Sequence, residues 1–588
     1  MAGNATFTIW NRVGGTLKNA TYYTSLYEFG NTRFRGTDSG TGNAMAVGTK
    51  HMHSGKWYFE FLVDGSPAGG WPAVGLMSAT DVNTAQASGN PQLESYFSWV
   101  FATSGNLKSF GGTTSASYGT SYSDGDIYNL AIDIDGGKAW WGKNNTYFNS
   151  GNPATGTNAG QTFTAGTDMA VVMTGYVGAA KLIINSGQDS NFSGEKSTGT
   201  NSAADGNGYG DFYYAPPSGF LSLNSANLPT STDIDPTETD DDIPTKQFGA
   251  ETFTGNGGTQ TIQLGDGFQP DLVITKNTGS TNSWIVLDSS RGYNKTLKLE
   301  EPDAEGTNSY VGYGIESDFF ASTGIKANGG GSPGFNNSTA NYIVYGWRAN
   351  GGTTSTNTSG TITTTVQANT AAGFSILTYT GTGTNATLGH GLSQAPDTIW
   401  FKNRDQNDSW LVYMNVPGLG NNKFVLLDSH VGTSVSGTAY LQATSPTSTV
   451  ISVGDEHKLN ASGEKYVAYC WHNVEGYSKF GQFTGNGNED GPYVYTGFRP
   501  RFYMYISLRF SGSPHWEIHD AARSINNPSR KVLQADANSA EYSAASRDVD
   551  FMGSGFKVRA SDSFDANSSS GMAYWCWGDV PYKFGNGF

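Results

Sequence analysis

Short runs of Val, Ile, Thr, Tyr and Phe alternate along this chain with clusters of Gly, Asn, Ser and Asp. Apolar runs of about four to eight residues, bounded by turn formers, predict strands, and their recurrence from end to end predicts an all-β protein. No segment sustains helical periodicity. The best helical candidate, Asp520 to Arg547, is interrupted by Asn527-Pro528 and lacks a regular apolar face, so it predicts a turn or two at most. The longest apolar stretch, Met169 to Ile184, is broken by Thr174, Gly175, Gly178 and Lys181. It falls short of the roughly 20 apolar residues of a spanning helix, so no membrane insertion is expected.

The second half of the pattern repeats. Phe253-Thr-Gly-Asn-Gly257, Tyr379-Thr-Gly-Thr-Gly383 and Phe483-Thr-Gly-Asn-Gly487 each precede a proline (Pro270, Pro396, Pro500) by 16 residues counted from the Thr. A Trp follows each proline by 14, 14 and 16 residues (Trp284, Trp410, Trp516), and another by 77, 75 and 77 (Trp347, Trp471, Trp577). Such spacing predicts three tandem units. Each has a strand after its proline and closes on another: Tyr342-Ile-Val-Tyr-Gly-Trp347, Tyr466-Val-Ala-Tyr-Cys-Trp471 and Met572-Ala-Tyr-Trp-Cys-Trp577. These are read as β-sandwiches, each with its own core and with its closing Trp buried. Lys583-Phe-Gly585 echoes the Lys479-Phe-Gly481 that leads into the third unit, which assigns a closing strand to the preceding sandwich.

Upstream, Pro229 to Thr245 carries six acids between three prolines and has almost nothing to bury, as a linker does. The organisation expected is 1–228, a sandwich with flanking strands; 229–245, an acidic linker; 246–350, repeat 1; 351–474, repeat 2 with a Gly/Thr-rich connector; and 475–588, repeat 3. Within the connector, Thr361 to Gln367 reads equally well as a polar edge strand.

Composition narrows the function classes. With 588 residues the chain is long enough for several cores, and its 14% charged residues and 79 glycines point to abundant turns. The net charge is −16 with no dense basic cluster, which disfavours nucleic acid and anionic lipid as partners. The N-terminus has no cationic start followed by an apolar stretch, so no signal peptide is expected and synthesis is placed in a cytosol. Cys470 and Cys576 stand at equivalent positions in two repeats, where the first has Gly346, and are expected to be buried, reduced and far apart.

A family becomes visible in the first 200 residues. Gly55-Lys-Trp-Tyr-Phe-Glu-Phe61, Ala73-Val-Gly-Leu76, Asp124-Gly-Asp-Ile-Tyr-Asn-Leu-Ala-Ile-Asp-Ile-Asp135, Ala139-Trp-Trp-Gly-Lys-Asn144 and Lys181-Leu-Ile-Ile-Asn-Ser-Gly-Gln188 resemble, in order, the signature strands of a SPRY domain. That resemblance implies a β-sandwich that binds partners through its loops. The stretch Tyr213 to Pro229 is similar to a junction found after SPRY domains in virion proteins of marine bacteriophages. Pro270-Asp-Leu-Val-Ile-Thr-Lys-Asn277, with Trp284, Asp288 and Arg291, resembles patterns in the same proteins. The resemblance implies a non-enzymatic phage virion structural protein, made in the host cytoplasm and carried on the particle as a homo-oligomer among other virion proteins. A tail fibre or adhesin-like component recognising a host-surface glycan or protein is the first expectation. A capsid decoration or head fibre is the second, and a surface-polysaccharide hydrolase the third.

Chemistry-bearing residues are sparse. His515 and His519 fall on a strand by alignment with Ser283-Trp-Ile-Val-Leu-Asp288, where i and i+4 lie about 13 Å apart, too far to share a metal. His51 and His53 lack an obvious third ligand, and Asp133-Ile-Asp-Gly136 lacks the remaining calcium-loop ligands. No metal, cofactor or catalytic residue is assigned. Trp71, framed by Gly69-Gly70 and Pro72, is the loop aromatic expected to anchor a sugar or protein contact. Asp288 with Arg291, and Asp520 with Arg523 at the same offsets after Trp516, are expected to be structural pairs. The second repeat has Met414 and Pro417 there, so both charges are missing together.

Overall fold

The computed structural model describes Thr8 and residues 10–17, 27–28, 32–35, 44–67, 72–79, 81–82, 97–110, 112–175, 181–197, 202–228, 243–311, 314–329, 335–417, 419, 423–429, 434–509 and 514–581. The chain forms two compact units: Met1–Pro229 with Asp490–Tyr495, and Thr230–Glu489 with Thr496–Asn586. Most of the acidic linker lies outside the described residues; its end runs into a 3-10 turn, Pro244–Lys246.

The N-terminal unit is a two-sheet β-sandwich. Its strands are β1 (Trp10–Leu17), β2 (Ala44–Met52), β3 (Lys56–Asp64), β4 (Ala73–Ser78), β5 (Phe97–Phe101), β6 (Ile127–Asp133), β7 (Lys138–Lys143), β8 (Met169–Gly175) and β9 (Lys181–Asn185). One sheet contains the order β1-β2-β8-β4-β5 and the other β7-β6-β3-β9, with neighbours antiparallel. Strands β3, β6 and β8 are buried on both faces, as their near-continuous apolar sequences require. The Trp141 indole on β7 crosses to the other sheet and donates to the Val74 carbonyl at 3.0 Å. At the centre of β3, Glu60 is fully buried and accepts from the Tyr213 and Tyr214 amides (2.8 and 2.7 Å), the Asn185 amide group (3.1 Å) and the Tyr58 hydroxyl (3.1 Å). The segment after the sandwich is thereby tied to its central strand.

The C-terminal unit contains three copies of one topology. Repeat 1 has β10 (Phe248–Thr254), β11 (Leu272–Asn277), β12 (Ile285–Asp288) and β13 (Asn341–Trp347), in sheet order β10-β13-β11-β12. Repeat 2 adds β14 (Thr364–Asn369) and then β15 (Phe374–Thr380), β16 (Thr398–Asn403), β17 (Leu411–Met414) and β18 (Lys465–Trp471), ordered β14-β15-β18-β16-β17. Repeat 3 has β19 (Ser478–Phe483), β20 (Phe498–Ser507), β21 (Glu517–Asp520) and β22 (Met572–Pro581), ordered β19-β22-β20-β21. The register matches as well: the strand after the proline meets the closing Trp at Leu272↔Trp347, Thr398↔Trp471 and Phe502↔Trp577.

One expectation is corrected by this pairing, and one open reading is decided. The strand containing Lys479-Phe-Gly481 pairs with β22 of its own repeat, so it opens the third unit and does not close the second. Of the two readings open for the Gly/Thr-rich connector, strand holds for Thr364–Asn369, since β14 joins the second repeat's sheet through β15. Lys583–Gly585 lies outside the described residues.

A second correction concerns the core. Side chains alternate across each strand, so each main sheet has two faces. The outer faces of repeats 1 and 2 have separate apolar clusters, around Val273, Ile285 and Leu287 and around Ile399, Leu411 and Tyr413. The inner faces of all three repeats merge into one cluster, and separate cores for each repeat do not describe it. Small sheets cannot bury both faces alone; sharing the inner face removes the largest apolar surface from water in one step.

Candidate functional site

Three tryptophans meet at the centre of the shared core. Trp347, Trp471 and Trp577 are 1%, 1% and 0% exposed, and their rings stand edge to face at 6.1, 5.3 and 5.8 Å between centroids. Their indole N–H groups have no oxygen acceptor, and the edge-to-face packing offers aromatic faces in its place. The three closing tryptophans identified by spacing are therefore one another's neighbours.

Around this centre each repeat grips the next in the same direction. Trp284 of repeat 1 donates to Gln534 O of repeat 3 (2.9 Å), Trp516 of repeat 3 to Leu426 O of repeat 2 (2.8 Å), and Trp410 of repeat 2 to Lys298 O of repeat 1 (2.8 Å). A closed ring of three donors results. The residue after each proline sets the connection: Asp271 accepts from the amides of Ala349, Gly351 and Gly352 (2.7, 2.9 and 2.7 Å), and Asp397 from that of Asn473 (2.8 Å). In repeat 3 the same position is Arg501, which donates to Ala250 O of repeat 1 at 2.7 Å and closes the ring without a covalent link.

The paired charges lie at the seams. Arg291 Nε donates to Asp288 Oδ2 at 2.5 Å, Arg291 also reaches Glu305 at 3.1 Å, and Tyr469 of repeat 2 donates to Asp288 at 2.6 Å. Arg523 Nε binds Asp520 at 2.5 Å, Arg523 reaches Glu541 at 3.1 Å, and Tyr345 of repeat 1 donates to Asp520 at 2.7 Å. Burial alone would lower the Arg291 pKa; Asp288, Tyr469 and Glu305 together raise it above its ordinary value. At the remaining seam Met414 and Pro417 replace the charges and Trp575 replaces the tyrosine, its indole donating to Thr398 Oγ1 at 2.9 Å. A tyrosine hydroxyl opposite methionine would be buried without an acceptor. The seam's exchange is thus matched on both sides.

The structure also brings together residues that spacing did not single out. On the outer face of repeat 3, Tyr505, Glu517 and His519 occupy the positions of Thr275, Ile285 and Leu287 in repeat 1 and Phe401, Leu411 and Tyr413 in repeat 2. Glu517 is fully buried and accepts from the Tyr505 hydroxyl, the Tyr542 hydroxyl (3.0 Å) and Arg547 Nε (2.7 Å). Arg547 continues to Asp562 and to Asp565 Oδ2 (2.7 Å). Burial pushes the Glu517 carboxyl up from its usual range, against the opposing effects of Arg547 and Tyr505. His515 bonds Asp536 at 3.0 Å, which raises its pKa. The signal available in the sequence was Glu517 and His519 interrupting an apolar alternation that the first two repeats keep.

Other candidates are accounted for. Asp133 is used by the Gly136 amide (2.7 Å) and Lys56 (3.2 Å), and Asp135 by the Gly55 amide (3.0 Å), so both brace a turn. His515 and His519 flank and enter β21 as a strand, and His519 is buried, its pKa lowered by burial to about 3. Among the described residues no group of three or more His, Cys, Asp or Glu side chains is placed to hold a metal. Cys470 and Cys576 are buried free thiols. Trp71 lies outside the described residues.

The family described as "Domain of unknown function (DUF7483)" matches residues 243–581, the span of the three-repeat ring. No curated protein matches the chain. Similar solved structures include the SPRY domain of human HERC1, at 17% identity and TM-score 0.22, covering 30% of this chain and 96% of that one. A human SPRY domain is 15% identical with a TM-score of 0.19, covering 27% of this chain and 94% of that one. The TRIM65 PSpry domain is 10% identical with a TM-score of 0.20, covering 30% and 92%.

Proposed function

We propose that this chain, which belongs to the DUF7483 family of domains of unknown function, is a non-enzymatic structural protein of a bacteriophage particle. The observation that carries the reading is the closed ring: three repeats interlocked by directional hydrogen bonds around a shared tryptophan core. Such a body has one stable geometry, which suits repeated display on a particle. The net charge of −16 and the resemblance of the Tyr213–Pro229 junction and of the Pro270–Asn277 pattern to virion proteins support the same reading. Within it the chain acts as a tail fibre or adhesin-like component, and the loops of the N-terminal sandwich, with Trp71, contact a host-surface glycan or protein.

Immunogold labelling of whole particles tests the placement. Label at the tail tip supports the adhesin role, label over the head shell replaces it with capsid decoration, and absence from purified particles removes the reading. Release of reducing sugar from host surface polysaccharide by the purified chain would contradict the non-enzymatic part. Host-cell adsorption by wild type and Trp71→Ala, after checking that both melt alike, tests the contact residue.

A further inference from the structure

We propose that His515 is a pH-sensitive latch on the two seams of the third repeat: its imidazolium fixes Asp536, and its deprotonation loosens the indole grips on either side of that carboxylate. The inference does not depend on the virion reading. It begins from a node present three times in the ring. Each repeat has an acid two residues after the carbonyl that accepts the neighbouring indole: Glu300 after Lys298, Asp428 after Leu426 and Asp536 after Gln534. Each acid also caps the amide of its own repeat's tryptophan. Glu300 accepts from Trp284 N at 3.2 Å, Asp536 from Trp516 N at 3.2 Å, and Asp428 from Trp410 N. One carboxylate thus stands between the grip a repeat receives and the grip it makes. In repeat 3 the received grip is Trp284 on Gln534 O and Ala537 O (2.9 and 3.2 Å), and the grip made is Trp516 on Leu426 O (2.8 Å).

The residue before each tryptophan gives the acid its next partner, and here the repeats differ. Ser283 bonds Glu300 and Ser409 bonds Asp428, through hydroxyls that stay neutral at any ordinary pH. The third repeat has His515 instead, whose Nδ1 donates to Asp536 Oδ2 at 3.0 Å. The Asp536 side chain is fully buried while the imidazole is 30% exposed, so the proton exchanges with water and the carboxylate it controls lies inside. An imidazolium adds charge attraction to that hydrogen bond; a neutral imidazole keeps only the bond.

The charges around His515 set the direction. Asp536 faces it from the turn after the Gln534 strand, Glu517 from two residues along its own chain, and Asp565 from the turn that Arg547 holds, with Arg509 near. The Asp536 bond raises the imidazole pKa above the ordinary histidine value of 6.5; burial opposes this, and Asp565 and Glu517 add to it. A raised folded-state pKa means that the stabilisation is whole below 6.5 and is lost as pH rises through the raised value. The third repeat's seams are therefore tight in mildly acid solution and looser in alkali.

The test is hydrogen exchange of the indole N–H groups, followed by NMR on the full chain with isotope-labelled tryptophan, in wild type and in His515→Ser, which installs the residue of the sibling repeats. Lys402 and Asp428 of repeat 2, at about 8 and about 6, titrate in both proteins, so the two are compared at each pH, where base catalysis of exchange also cancels. The Trp516 rate in His515→Ser relative to wild type should fall about fivefold from pH 6 to pH 9, the difference between a charged and an uncharged donor. Trp284 should follow it, and Trp410, on Lys298 O, should keep one ratio throughout. Within wild type alone, Trp516 exchange relative to Trp410 should rise over the same range, which keeps the test if the variant fails to fold. The proposal is overturned if the Trp516 or Trp284 ratio is the same at pH 6 and pH 9, or if Trp410 changes as steeply as Trp516.

Discussion

Tyr469 in the second repeat donates its hydroxyl proton to Asp288 in the first, at 2.6 Å. Tyr345 in the first repeat does the same to Asp520 in the third, at 2.7 Å. In each case the carboxylate also holds an arginine three residues further on. Where the second repeat has Met414, the partner hydroxyl is gone as well, replaced by the Trp575 indole on Thr398. A hydroxyl, a carboxylate and a guanidinium therefore behave as one seam element, present together or replaced together.

Removing parts of that element should cost unequal amounts. Arg291→Ala leaves a desolvated Asp288 and should destabilise the C-terminal unit by about 3 to 5 kcal/mol, more than the double variant with Asp288→Ala. Tyr469→Phe removes a hydrogen bond to a charged group and should cost about 1.5 to 3 kcal/mol. Chemical denaturation of the three variants and the double variant checks both statements. Strictly additive changes would show that Asp288 and Arg291 do not interact.

The N-terminal unit should carry a pH signature from Glu60. Burial raises its pKa from 4.5 to about 7, against the Tyr214 and Tyr213 amides that favour the ionised form. Between those values the folded state holds more protons than the unfolded state, so this group's contribution to stability falls as pH rises, by about 1.4 kcal/mol per unit, and levels off above 7. Glu60→Gln cannot titrate. The stability difference between wild type and Glu60→Gln should shrink from pH 5 to pH 7, and a flat difference would remove the effect.

The thiols should be silent in the native protein. Burial pushes the Cys470 and Cys576 pKa values up, and both residues sit within the closing strands. A thiol reagent at pH 8 should modify neither until denaturant is added, and intact mass should show no loss of two hydrogens. Rapid native labelling would contradict their burial.

Strand content, the three-unit spacing and the paired charges were legible because each is written in local sequence: alternation, glycine turns, and an acid and a base at a fixed offset. Partners in other repeats were not legible. Nothing in Tyr469 marks Asp288 as its acceptor, and the closing tryptophans could be placed within their own units but not against one another. Separate cores were expected because a sandwich ordinarily fills its own interior; the inner faces here are filled by neighbouring repeats instead. Gly346 shows the same limit. It stands where the other repeats have cysteine, and a Cβ there would lie 2.5 Å from Leu264 Cδ1 and 3.2 Å from Pro270 Cβ, so Leu264 packs in this repeat into space that a side chain at this position would claim. The polar cluster of repeat 3 left a trace in Glu517 and His519, but Arg547, Asp562 and Asp565 join it only through the fold.

The central claim is that the three repeats share one core and unfold as one body. Native-state hydrogen exchange on full-length Trp347→Ala tests it most directly. Trp347 lies in β13 of repeat 1, and its truncation should cost about 3 to 5 kcal/mol. If the core is shared, the most protected amides of β13, β18 and β22 should all lose that much protection, although β18 and β22 belong to repeats left unaltered. Loss confined to β13, with β18 and β22 exchanging as in wild type, would mean that each repeat stands alone.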